Sequence, residues 1–223
     1  MAITTTDGAL LRLLQLSSVA LPVGGYAFSQ GLENAVEQGW LNDREATHDW
    51  LLDQLHHSLA RVDLPLLLRL QRAQAERDDI TLQYWNDYLL ACRETAELRL
   101  TDTAMGEALV RLLSQLELPR PVVKTPVFAT GFAIACDAWS ISLRAACHGY
   151  AWAWLENQVA AATKLVPLGQ SAAQILLGQL LEQLPAAIDA AMDLEDRDIG
   201  ASLPGLALVS VWHESQYSRL FRS

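Results

Sequence analysis

The amino-acid sequence predicts an all-α protein: a single helical bundle domain with a central pair of apolar helices and a flexible C-terminal tail. Apolar residues recur at the i, i+3 and i+4 spacing of amphipathic helices along most of the 223 residues. No run of β-branched residues alternates for more than a few positions, so strand signals are almost absent. With 51% hydrophobic and 19% charged residues, the chain can bury a sizeable core.

The first half of the chain predicts short helices separated by turn-forming residues. Apolar residues share one helix face over residues 10–14 and again over residues 28–36. Pro22-Val23-Gly24-Gly25 breaks the chain between them, because proline restricts φ and glycine accepts positive φ. A third helix is expected to start at the capping box Asn42-Asp43-Arg44-Glu45 and to end near Arg61.

Aspartate and proline mark the next predicted helix boundaries. Asp63-Leu64-Pro65 separates the third helix from a fourth, with the proline in the first turn, where its missing N–H costs little. Asp78 or Asp79 caps a helix that ends near Cys92. Helical spacing then continues over residues 93–116.

The two helices predicted at residues 125–136 and 139–164 are apolar on almost every side. Such helices are either surrounded by neighbours inside a bundle or buried at a subunit interface. Small residues on the second helix permit a close approach of another helix. The charged residues between positions 121 and 181 are few: Lys124, Asp137, Arg144, Glu156 and Lys164.

The end of the chain differs in character, so we predict an all-α domain over 1–200 and a partner-binding tail over 201–223. An acidic stretch over 186–200 is expected to be solvated. Ordering residues 212–223 costs about 1–2 kcal/mol of backbone entropy each, and burying their four large apolar side chains returns only about 1.5–3 kcal/mol apiece. This comparison favours a tail that becomes ordered in a pocket supplied by a partner. The alternative is a C-terminal helix docked on its own bundle.

Composition excludes several classes of function. The net charge is −10, and the chain has only two lysines, so it is not expected to bind nucleic acid. Three widely spaced cysteines without a CxxC pair predict free thiols in a reducing compartment rather than disulfides. No signal peptide or membrane-spanning segment is evident, which predicts a cytoplasmic protein that does not enter a membrane.

No motif predicts catalysis or a cofactor. The sequence contains neither a phosphate-binding loop nor a dinucleotide-binding glycine turn nor a nucleophile elbow. Asp49, Asp53 and His57 recur every fourth residue and could in principle bind nickel or zinc, but this spacing is more typical of a solvated helix face. We therefore expect no bound cofactor or metal and no enzymatic activity. His148 is expected to be a hydrogen-bonded core histidine.

Several segments together resemble the UreF family of urease accessory proteins. They occur in the order of the family and span nearly the whole chain. The final segment and Ser29-Gln30-Gly31-Leu32-Glu33 are the most specific. The segments are Leu21-Pro22-Val23-Gly24-Gly25-Tyr26, Ser29-Gln30-Gly31-Leu32-Glu33, Asp63-Leu64-Pro65, Arg93-Glu94-Thr95-Ala96-Glu97, Lys164-Leu165-Val166-Pro167-Leu168-Gly169-Gln170 and residues 213–223.

The resemblance implies a homodimeric, non-enzymatic urease maturation factor, a chaperone for nickel insertion. Such proteins bridge a UreD/UreH-type scaffold and a UreG-type GTPase, so that nickel is delivered to apo-urease by the complex. By position in the motifs, the implied partner-binding residues are Ser29, Gln30, Gly31, Glu33, Lys164, Gln170, His213, Glu214, Tyr217, Arg219, Leu220, Phe221 and Arg222.

Two other functions remain open from the residues alone. One is an all-α enzyme or small-ligand-binding protein with a pocket near His148, Tyr150 and Trp154. The other is a nickel-storing chaperone that uses the acidic helix face described above.

Overall fold

The computed structural model describes residues 6–223 and confirms the all-α fold class, with no strand in that part of the chain. Short 3₁₀ turns lie at Gly25–Ala27 and Asp196–Asp198, and a wide π-helical stretch lies at Leu55–Asp63. The α-helices are α1 (Asp7–Leu16), α2 (Leu32–Glu37), α3 (Arg44–Gln54), α4 (Leu64–Glu76), α5 (Asp79–Ala91), α6 (Ala96–Gln115), α7 (Phe128–Ala138), α8 (Leu143–Leu165), α9 (Gln170–Leu181), α10 (Leu184–Asp193) and α11 (Pro204–Glu214).

Side-chain caps begin five of the eleven α-helices that the structure describes, including the two longest, α6 and α8. Asp78 accepts hydrogen bonds from the backbone N–H groups of Ile80 and Thr81 and so starts α5, as predicted. The predicted cap Asn42 is wrong by one residue. Asp43 is the N-cap of α3, and its carboxylate accepts the N–H of Ala46 at 2.9 Å.

The predicted break at Asp63-Leu64-Pro65 is absent. The chain stays helical from α3 through the wide stretch Leu55–Asp63 into α4. The N–H of Leu64 bonds the carbonyl of Leu59, five residues back, which widens the turn just before Pro65. Proline has no N–H to donate, and the wider turn reduces the cost of this missing hydrogen bond. Pro65 therefore does not end the helix.

Helix α7 lies at the centre of the bundle. Each of its residues from Phe128 to Cys136 is buried, and α4 and α6 pack against it. Helix α8 packs on α1 at Gly149, where a Cβ atom would lie 2.3 Å from Leu13 Cδ1. Helix α7 is therefore covered inside the bundle, which is one of the two arrangements that its apolar character predicts.

None of the helices in residues 6–223 combines the length and the apolar character needed to span a membrane.

The acidic stretch after α10 is solvent-exposed, as expected, but Arg69 holds its backbone. The Arg69 guanidinium donates to the carboxylate of Asp196 at 2.9 Å and to the carbonyl of Leu194.

The thiols of Cys136 and Cys147 are buried, and we expect them to resist alkylation in the native protein. Burial raises the pKa of the Cys147 thiol to about 12 and raises that of Cys136 as well. Because the thiolate is the reactive form, both should be protected near neutral pH. Mass spectrometry after iodoacetamide treatment should show modification of the half-buried Cys92 first, and of all three only after unfolding. Fast labelling of Cys147 in the folded state would contradict this packing.

Candidate functional site

The segment from Pro22 to Gly31 places the start of α2 against α11. Gly24 has φ +76° and Gly31 has φ +84°, conformations that glycine adopts at little cost. A Cβ atom at Gly31 would lie 2.9 Å from Leu206 Cδ1, so glycine is also needed for close contact with α11. Gln30 has positive φ as well, and its side chain accepts a hydrogen bond from the Trp154 indole at 3.1 Å.

Glu33, in the first turn of α2, binds the backbone of the tail. Its carboxylate accepts the N–H of Leu220 at 2.6 Å and the N–H of Phe221 at 2.8 Å. The same carboxylate lies 3.0 Å from Nε2 of His213. One buried side chain therefore joins the end of α11 to the segment that follows it.

His213 is completely buried between two carboxylates. Its Nδ1 lies 2.8 Å from Glu97 Oε2, and its Nε2 faces Glu33. Arg219 donates to Glu97 Oε1 at 3.0 Å. Burial raises the pKa of Glu97, and this effect is opposed by His213 and Arg219. Helices α2, α6 and α11 and the part of the tail that follows α11 thus meet at one cluster of four charged or titratable groups.

The last three residues are also held by the chain itself. The carbonyl oxygen of Ser223 accepts the Ser29 hydroxyl at 3.0 Å, and the N–H of Arg222 donates to the carbonyl of Ala27 at 2.7 Å. Phe221 is 5% exposed and packs in the apolar cluster formed by α2, α3, α8, α9 and α11. The ammonium of Lys164 lies 5.3 Å from the centre of the Phe221 ring.

The expectation of a mobile tail that needs a partner's pocket is therefore corrected. In this structure the tail is packed on its own chain, which was the alternative left open by the sequence. Hydrogen bonds of Glu33 and Ser29 to the tail add to the apolar burial and help to offset the backbone entropy. Buried charge-assisted hydrogen bonds of this kind are stronger than neutral ones.

Most of the residues implied by the family resemblance lie together in this structure. Three of them lie apart from the others: Glu214 and Tyr217 point to solvent, and Gln170 is exposed at the start of α9. The residues that meet there are Ser29, Gln30, Gly31, Glu33, Lys164, His213, Arg219, Leu220, Phe221 and Arg222. Their role in binding partners stays a prediction.

Glu97 and Thr101 belong to the cluster, but the sequence reasoning did not select them. The Thr101 hydroxyl lies 2.6 Å from the Ser223 hydroxyl, and Glu97 contacts both His213 and Arg219. Glu97 belongs to the family segment Arg93-Glu94-Thr95-Ala96-Glu97, which was the one available signal. Nothing in the spacing along the chain places this segment beside residues more than a hundred positions later.

A second buried charge cluster lies beside a cavity of about 120 Å³. The guanidinium of Arg93 donates to Asp63 and to Asp102, and the Tyr150 hydroxyl lies 3.4 Å from Asp63. Burial raises the pKa of Tyr150 and that of Asp102. These groups form a structural ion pair that links the π-helical stretch to α6 and α8.

The predicted pocket near His148, Tyr150 and Trp154 is only partly correct. Tyr150 and Trp154 line the cavity, whereas His148 does not. His148 is two residues before Tyr150 and therefore lies on the other side of α8. The expectation of a hydrogen-bonded core histidine is therefore only partly correct: its Nδ1 lies 2.8 Å from the carbonyl oxygen of Arg144, but the residue is half-buried rather than in the core.

The possible metal ligands on α3 and the turns that follow do not form a site. Asp49, Asp53 and His57 are solvent-exposed. Within residues 6–223, no group of three or more histidine, cysteine, aspartate or glutamate side chains is placed to hold a metal ion.

Comparison with known proteins identifies the family. A family model described as UreF matches residues 41–181. A protein named urease accessory protein UreF from Marinomonas sp. (strain MWYL1) is 55% identical over 223 residues, which cover 99% of this chain and 97% of that protein. A protein of the same name from Alkalilimnicola ehrlichii is 51% identical, and the alignment covers 95% of this chain and 95% of that protein. Another, from Psychrobacter cryohalolentis, is 50% identical, and the alignment covers 98% of this chain and 96% of that protein. The chain belongs to the UreF family of urease accessory proteins.

Proposed function

We propose that this urease accessory protein bridges a UreD/UreH-type scaffold and a UreG-type GTPase, so that nickel reaches apo-urease within the complex. It acts in the cytoplasm, without enzymatic activity of its own, and nickel is cargo of the complex rather than a resident cofactor. The observation that carries the proposal is the convergence of distant family segments on one docked tail.

The docked tail has the chemistry of a protein-binding surface. Tyr217 is fully exposed, and Leu220 is 65% exposed. Arg222 also faces solvent. Aromatic and arginine side chains are frequent anchors of protein interfaces. None of these three side chains is buried in the fold of its own chain, so they are free to contact another protein.

Glu33 gives this surface a defined shape. It holds the backbone N–H groups of Leu220 and Phe221, which directs Phe221 inward and leaves its two neighbours, Leu220 and Arg222, exposed. A segment that is already ordered loses less conformational entropy on binding. This supports a surface that is prepared before the partner arrives.

A homodimer is part of the proposal because the family resemblance implies one. A two-fold dimer would present the tail surface twice, once on each subunit. Each copy could then engage its own scaffold and its own GTPase.

The test is capture of the partners by a tagged variant carrying both Tyr217→Ala and Leu220→Ala. Because both side chains are exposed, we expect an unchanged fold and a loss of captured scaffold or GTPase of about tenfold or more. The matched control is Ile80→Ala on α5, another exposed apolar residue, at 84% exposure. Unchanged capture of both partners by the double variant would refute the assignment of this surface.

A further inference from the structure

The buried His213 has an unusual hydrogen-bonding requirement. Both ring nitrogens lie within hydrogen-bonding distance of a carboxylate, Nδ1 of Glu97 and Nε2 of Glu33. A neutral imidazole has only one N–H donor, and an ionised carboxylate has none. If both carboxylates are ionised, a neutral His213 would place a nitrogen lone pair against one of them.

One additional proton removes this conflict. With an imidazolium, both ring nitrogens donate, and each carboxylate accepts. Alternatively, the proton can reside on a carboxyl group, which then donates to the imidazole. A neutral histidine and two ionised carboxylates have one proton too few for these contacts. The docked arrangement therefore needs one additional proton.

The charges around His213 favour the same protonation. Glu33 on α2 and Glu97 on α6 face the ring, and Arg219 of the tail contacts Glu97. Glu214, its neighbour on α11, is exposed, and Lys164 of α8 lies over the Phe221 ring beyond the cluster. An imidazolium balances the two buried carboxylates together with Arg219, whereas a neutral imidazole leaves one uncompensated negative charge.

We propose that docking of the tail is coupled to uptake of one proton by the Glu33–His213–Glu97 cluster, so that the tail is held in mildly acidic and neutral solution and released in alkaline solution. The biological role of this coupling rests on the proposed function, because the coupling makes the partner-binding surface pH-dependent. Glu33 and Glu97 are then positioning residues, which act on partners through the tail.

The direction of the effect follows from proton linkage. The docked arrangement retains one shared proton, because a carboxylate faces each ring nitrogen of His213. A released histidine has a pKa of about 6.5. Docking is therefore strongest between the pKa of a free glutamate, about 4.3, and that of the histidine, and it weakens above this range by up to about tenfold per pH unit, until the docked cluster also loses its proton.

The experiment follows the Phe221 ring in the full-length protein, without partners, by ¹⁹F NMR. The protein is labelled with fluorophenylalanine at its four phenylalanines, and the signal of Phe221 is assigned with a Phe221→Leu variant. From about pH 6 to about pH 9, we expect the packed signal to give way to a released one. A packed signal that stays constant over this range would overturn the inference.

Two variants separate the proton from simple packing. Glu97→Gln supplies an amide N–H₂ to Nδ1 while Nε2–H donates to Glu33, so no additional proton is needed and the pH dependence should disappear. The matched control His148→Gln removes the half-buried histidine of α8 and should keep the pH dependence of the unmodified protein. Equal pH dependence in Glu97→Gln and in the unmodified protein would also overturn the inference.

Partner capture is measured separately, at a single neutral pH. A constant ¹⁹F signal with partner capture that depends on Tyr217 and Leu220 overturns the pH coupling alone. A pH-dependent ¹⁹F signal with partner capture that does not depend on those two residues supports the coupling and refutes the partner-binding role proposed for the tail surface.

Discussion

Replacing Arg93 with methionine is expected to destabilise the protein by about 3–5 kcal/mol. The Arg93 guanidinium donates to the buried carboxylates of Asp63 and Asp102, which are only 5% and 7% exposed. The variant would leave both carboxylates buried without their cation. Urea denaturation followed by circular dichroism measures the change in the free energy of unfolding.

The pH dependence of this effect has a definite sign. Burial already raises the pKa of Asp102 against the opposing influence of Arg93, and removing the arginine should raise it further. When the pKa of a carboxyl group is higher in the folded state than in the unfolded state, the protein loses stability as the pH rises from the unfolded pKa towards the folded pKa. The destabilisation by Arg93→Met should therefore be greater at neutral pH than in mild acid.

A matched control uses an exposed arginine on α6. Arg111 pairs with Glu107 at 3.8 Å, and both side chains are more than half exposed. Arg111→Met should change stability by less than about 1 kcal/mol. Similar losses for Arg93→Met and Arg111→Met would show that the buried cluster does not contribute as described.

The second large effect is expected for Gly106→Ala. Gly106 is the point where α6 meets the backbone that leads into α7. A Cβ atom there would lie 2.1 Å from the carbonyl oxygen of Pro126 and 2.5 Å from the carbonyl carbon of Val127. Because both atoms belong to the backbone, the segment must shift, and we expect a loss of about 3 kcal/mol. A thermal or urea unfolding curve measures it.

Gly178→Ala is the matched control for this substitution. Gly178 also lies inside a helix, but nothing lies within 4 Å of a Cβ atom built there. Alanine should therefore stabilise α9 by up to about 1 kcal/mol through its higher helix propensity. Opposite signs at the two positions are expected, and a stabilising Gly106→Ala would show that α6 and α7 are not in close contact.

Local features of the sequence predicted the helices well where one residue or a short repeat decides the structure. The carboxylate of Asp78 caps the N–H groups two and three residues later, so the start of α5 follows from neighbouring residues alone. The path from α3 to α4 was predicted wrongly. Whether a proline ends a helix there depends on the hydrogen bond from Leu64 to Leu59, and a widened turn has no signal in apolar spacing.

The family segments identified most of the residues that meet at the tail, but not their contacts. Ser29, Glu33 and Phe221 were selected by their position in motifs, whereas Glu97 and Thr101 were not. The hydrogen bond between Glu33 and Phe221 joins residues 188 positions apart. A pattern that extends over a few helical turns contains no information about a pair so widely separated.

By itself, the sequence determined the all-α fold, the start of α5 and the family to which the chain belongs. Each of these depends on side chains that act within a few residues or on motifs that can be compared directly. Only the tertiary structure decided that the tail docks on its own chain and that His213 lies between Glu33 and Glu97. Those outcomes depend on burial and on hydrogen bonds between distant segments, which exist only after the helices have packed.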